Sequence, residues 1–137
     1  MNKLKATLLV SYVGEHISGG FYLRLAHQAR TPATIRERLK STAGDETRHG
    51  EYFNDLHEQE FGNRFSARPL LISLGKVFGS ASRIIPLKHL LHWVATAEAT
   101  VVKALEKDVA TKPSTPYLQL VTKILPDERT HAEPYTL

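Results

Sequence analysis

Apolar side chains return every three or four residues from the start of the chain, at Leu4, Leu8, Tyr12, Val13, Ile17, Phe21, Leu25 and Ala29. That period predicts an amphipathic helix over about Lys3 to Ala29. The opening stretch, Met1 to Val10, faintly resembles a secretion signal. Its apolar run is short, however, and Tyr12, Glu15 and His16 follow at once with no small-residue cleavage site, so it reads as the start of the helix. Thr31-Pro32 supplies a capping residue and a first-turn proline for a second helix from about Pro32 to Glu60, and Gly62 offers its stop. A third helix is predicted to contain Pro86 to Ala110. Lys112-Pro113-Ser114-Thr115-Pro116 is a linker that restarts a last one, in which Pro126 predicts a kink or a second restart. No stretch shows the alternation of a strand, so the pattern predicts an all-α bundle.

Composition narrows the chemistry. A chain of 137 residues, 42% hydrophobic and 23% charged, is expected to form a single domain over residues 1–137 with one core. The absence of cysteine excludes a disulfide scaffold, thiolate-held zinc or iron–sulfur clusters, and a cysteine nucleophile. Carboxylates, imidazoles and hydroxyls must therefore carry any chemistry. No apolar run approaches the roughly 18 residues of a membrane-spanning helix. The net charge of +4 points weakly towards an anionic partner.

The basic charge is concentrated. Between Phe61 and Ala97 there is no acidic residue, while Arg64, Arg68, Lys76, Arg83 and Lys88 are interleaved with Leu70, Leu71, Ile72, Leu74, Val77, Phe78, Ile84 and Ile85. Two readings fit this stretch. One is an amphipathic helix lying in a membrane interface; the other is a crossover helix packed on the bundle with its few charges in solvent.

Two of the seven histidines lie in Glu-x-x-His pairs, Glu46/His49 and Glu128/His131. A second carboxylate precedes each pair by about one helix out and one helix back: Glu15 before Glu46, and Glu98 before Glu128. Residues three apart share a helix face, so each half of the chain brings two carboxylates and an imidazole to one level. Glu15, Glu46, His49, Glu98, Glu128 and His131 together make the ligand set of a dinuclear iron or manganese centre in a ferritin-like four-helix bundle. The gap from His49 to Glu98 is the long crossover that such a bundle needs between helices 2 and 3. Small or apolar neighbours surround Glu15 (Val13, Gly14, Ile17) and Glu98 (Ala95, Ala97, Ala99), and a carboxylate in such a setting is costly unless paired or metal-bound. If metal consumes the four glutamates, 18 positive side chains face 10 negative ones, a balance of +8.

Other residues carry weaker signals. His16 points about 100° away from Glu15 and reads as a partner-facing or supporting residue. Tyr22 returns to the face of Glu15 as a gate or as plain core. Asp127 either supports His49 or is exposed, and His89 and His92 form an i, i+3 pair without a preceding carboxylate.

These motifs resemble the demethoxyubiquinone hydroxylases within the ferritin-like superfamily. Gly14-Glu15 with Tyr22 seven residues on resembles the family's first motif, and Glu46-Thr47-Arg48-His49 with Tyr52, Phe53 and Leu56 its second. Arg68-Pro69-Leu70 and Gly75-Lys76-Val77-Phe78-Gly79 resemble its Arg-Pro and Gly-x-x-x-Gly stretch, and Ala97-Glu98 and Asp127-Glu128-Arg129-Thr130-His131 complete the pattern. Where the family carries a His-Tyr pair after the third-helix glutamate, this chain has Ala104 and Leu105.

The resemblance implies a monooxygenase with two iron ions. It would hydroxylate a quinone-like small molecule with dioxygen at a membrane surface engaged through about Pro69 to Leu91. The expected location is cytoplasmic and peripheral on the inner membrane face. A homodimer is one open assembly, and nucleic acid is not an expected partner. The alternative is an iron- or peroxide-handling protein of the ferritin or rubrerythrin kind.

Overall fold

The computed structural model describes residues 2–137, and every regular element among them is helical: α1 (Lys3–Ala26), α2 (Ala33–Phe61), α3 (Arg68–Ala81), a 3-10 turn (Ser82–Ile84), α4 (Leu87–Thr111) and α5 (Pro116–His131). The four long helices expected from the periodicity are α1, α2, α4 and α5. The crossover between the second and third of them holds α3. The chain divides into two compact units, one ending at Ile84 and the other covering Ile85–Leu137.

In the first unit, α1 and α2 form a helical hairpin over a core of Leu8, Tyr12, Leu25, Leu39, Phe53 and Leu56. Asn2 caps α1, its side-chain oxygen accepting from the Leu4 amide at 2.8 Å. The helix stops at Ala26 rather than Ala29, because the buried Thr31 hydroxyl donates to the Leu25 carbonyl at 2.8 Å. Thr31 thus closes α1 instead of capping α2, which begins behind Pro32 with no side-chain cap. Gly62 ends α2 in the left-handed region at φ 76°, a conformation glycine adopts without steric cost.

The return loop is tied to α2. Asn54 donates to the Phe65 carbonyl at 3.0 Å and accepts from the Phe65 amide at 2.8 Å. His57 donates through Nδ1 to the Asn63 carbonyl at 2.6 Å. The Phe65 ring sits 4.0 Å from the His57 ring and 5.1 Å from Tyr12. Arg64 meets Glu51, Asp55 and Glu58 at 2.6–3.0 Å.

α3 lies directly on the backbone of α1. A Cβ added to Gly20 would strike the Ile72 carbonyl oxygen, and one added to Gly75 would strike the Ile17 carbonyl oxygen. Gly79 abuts Arg24 in the same row, and polar bonds flank the seam, Gln28 donating to the Gly79 carbonyl and Arg24 to the Ser80 hydroxyl, each at 2.8 Å. The inner face of α3 is therefore small, with Leu71 its one large buried residue. The large residues Leu70, Leu74, Val77 and Phe78 face outward, Leu70 at 71% exposure. Of the two readings of this stretch, the packed crossover helix describes its inner face, and its outer face keeps the apolar and basic composition of the other.

The second unit is a hairpin of α4 and α5 over Leu90, Leu91, Val102, Leu118, Val121 and Ile124. Thr115 caps α5, accepting from the Leu118 amide at 3.2 Å, and Arg129 bridges to Glu106 at 2.8 Å. α5 runs unbroken through Pro126, so of the kink or restart expected there the restart does not occur. Its own missing N–H is the bond Pro126 withholds from the helix. No helix among the described residues is long and apolar enough to cross a membrane.

Candidate metal centre

The first unit assembles three of the predicted ligands. Glu15 on α1 and Glu46 and His49 on α2 each offer a ligand atom, and these atoms lie within 4.8 Å of one another. His49 Nδ1 is 3.9 Å from Glu15 Oε2. His49 is fully buried, Glu46 is 4% exposed and the Glu15 side chain 15%. The i, i+3 spacing turns Glu46 and His49 to the face that α1 covers, so α1 needs to add only one carboxylate.

The second unit repeats the arrangement on one helix. Glu128 and His131 are buried on α5, His131 Nδ1 lying 3.9 Å from Glu128 Oε1. Glu98 is half-buried on α4.

Carboxylate oxygens and imidazole nitrogens, buried and mutually close, fit hard or borderline divalent cations such as iron or manganese. Helices supply all of these positions, so the donors are held by backbone and packing rather than by mobile loops. Buried carboxylates this near one another repel unless protonated or neutralised by a cation, which is a second point of fit.

The Rubrerythrin family model matches residues 7–137, nearly the whole chain. The chain belongs to the rubrerythrin family. No curated protein and no solved structure matches it. Rubrerythrin-family membership brings the ferritin-like di-iron superfamily and its helical bundle fold expected from the ligand spacing, together with iron-dependent oxidoreductase chemistry. It does not single out the demethoxyubiquinone hydroxylases.

In this rubrerythrin-family chain the weaker candidates sort differently. His16 is not partner-facing: it is fully buried, its ring against Gly50 and edge-on to Tyr12 at 4.6 Å, with Nε2 3.1 Å from Glu51 Oε1. Burial pushes its pKa below the usual imidazole value, opposed by the Glu51 charge. Tyr22 is buried beside Phe21 at 5.7 Å between ring centres. Asp127 is half-buried, and His89 and His92 are exposed on α4.

Sequence reasoning missed Glu51 and its two arginines, Arg64 at 3.0 Å and Arg68 at 3.8 Å. His16 and Glu51 stand on different helices, and no local period relates them. The available signal was Gly50, a residue small enough to admit a ring beside the ligand pair.

Proposed function

We propose that the chain is a di-iron oxidoreductase whose two irons would be held by Glu15, Glu46, His49, Glu98, Glu128 and His131. The observation that carries this reading is the buried group of Glu15, Glu46 and His49, echoed by the buried Glu128/His131 pair on α5. Two bound irons would supply electron transfer to dioxygen or peroxide. The four glutamates would hold both cations and offset their charge, and the two histidines would bind as neutral imidazoles. Burial keeps bulk water from the donors, which strengthens every charge interaction among them.

The reaction this reading favours is reduction of dioxygen or peroxide by reduced iron, as for an iron- or peroxide-handling member of the family. The deciding experiment is iron stoichiometry after anaerobic Fe(II) loading, followed by peroxide consumption. Two irons per chain, lost in Glu128→Ala, support the centre; a wild-type chain that binds no iron overturns it.

A specific observation favours a second reading, hydroxylation of a quinone-like apolar substrate at a membrane. The outer face of α3 presents Leu70, Leu74, Val77 and Phe78, with Lys76 and Arg83 nearby and no acidic residue from Gly62 to Thr96. Such a face suits an anionic lipid surface. Sedimentation with anionic vesicles, reduced in Phe78→Asp, together with quinone turnover by the iron-loaded protein, distinguishes this reading from the first.

A further inference from the structure

The second unit contains a groove that the ligand set does not use. It has a volume of about 500 Å³ and runs along one stripe of α4, walled on its other side by the segment after α5. Leu91, Ala95 and Ala99 form its α4 side, and Ala132 and Pro134 line the opposite side. Lys88, His89 and His92 cluster at the end nearest the start of α4, with no acidic side chain among the lining residues. Among the described residues Lys88 has no ion-pair partner. From Lys88 to Ala99 the helix rises roughly 16 Å, so the groove is long, basic at one end and mostly apolar along the rest, where Thr96 and Tyr135 are its polar side chains. Small alanines at Ala95 and Ala99 leave room where a Leu would fill it.

From this shape and charge we infer that the groove binds a single-chain amphiphile with a carboxylate head, of the medium-chain fatty acid class. The carboxylate meets Lys88 and the two imidazoles at the basic end, and the alkyl chain lies over Leu91, Ala95 and Ala99. Occupied sites of this kind are concave, mostly apolar and carry a few convergent polar groups. The inference is independent of the metal reading, because none of these residues is a proposed ligand and binding requires no iron.

The test titrates the full-length protein, with and without iron, with dodecanoate below its micelle concentration. Binding is followed by calorimetry and by the fluorescence of Trp93, the single tryptophan, which neighbours His92. The expected result is saturable 1:1 binding regardless of iron, weaker by about tenfold or more for dodecyltrimethylammonium, whose head is positive. Lys88→Glu combined with His92→Glu should weaken dodecanoate by about tenfold or more; both positions are exposed, so the fold is retained. Ala99→Phe, which fills the groove, should abolish binding while melting as a folded protein. Absence of saturation, equal affinity for the cationic amphiphile, or unchanged affinity in the folded double variant overturns the inference.

Discussion

Gly75 on α3 and Ile17 on α1 meet backbone to backbone, with the Ile17 carbonyl oxygen occupying the space a Cβ at residue 75 would need. The α1–α3 seam is thus set by main chain, and neither helix can yield by turning a rotamer. Gly75→Ala is expected to lower unfolding stability by about 1–3 kcal/mol, the usual cost of overpacking. Gly44→Ala, at an exposed helical position with open space around it, should instead gain about 0.5–1 kcal/mol. Urea unfolding of the two variants beside wild type gives both signs in one experiment.

Removal of metal should be visible as stability as well as chemistry. A ligand present at about 100 times its dissociation constant stabilises the folded state by about 2.7 kcal/mol. Melting with Fe(II) under anaerobic conditions should therefore lie above melting with a chelator. The difference should vanish in Glu46→Ala and persist in Glu37→Ala, which alters an exposed residue on the same helix.

Tyr12 gives an alkaline signature. Its ring is 1% exposed, and burial, aided by the Glu51 charge, raises its pKa above the ordinary value of 10.0; the amides of Ala67 and Arg68 face the phenol oxygen without closing a hydrogen bond. A raised folded-state pKa means that the folded chain holds its proton longer than the unfolded one. The resulting stability is fully present below pH 10 and is lost as pH rises through the folded value. Tyr12→Phe keeps the ring and removes the ionisable group, so its stability should match wild type near neutrality and fall less steeply above pH 10. Thermal melts across pH 8–11 measure this directly.

Asn54 closes both backbone groups of Phe65 from a buried position. Asn54→Ala would leave that amide and carbonyl without their partner, at an expected cost of about 1–3 kcal/mol. Hydrogen exchange of the Phe65 amide should rise sharply in the variant, while exchange in the middle of α2 should change little.

Much of this was legible in the chain. The four long helices follow from the apolar period, and the end of α2 follows from Gly62. Glu46/His49 and Glu128/His131 are visible because i, i+3 is a local spacing that survives in one dimension. What stayed hidden was non-local. Thr31 looks like a cap for α2, yet its hydroxyl turns back to Leu25, and only the packed chain decides between those acceptors. Pro126 looks like a kink or a restart, but a helix can lose one bond and continue. The inverted face of α3 was hidden for a different reason: periodicity marks an apolar stripe as core, whereas here glycine backbone took the inside and left the stripe in solvent.

Arg64 reaches back to Glu51, Asp55 and Glu58, three carboxylates spaced along one face of α2 that repel one another without it. The loop therefore carries the helix's counterion as part of the covalent chain. Dissolved cations compete for the same role, and at about 1 M ionic strength the screening length falls to about 3 Å, comparable to these contacts. Ionic strength becomes a dial on a single segment: concentrated salt should slacken Arg64's hold and loosen the return loop, while the backbone contacts of Gly20 and Gly75 between α1 and α3, which involve no charge, ignore it.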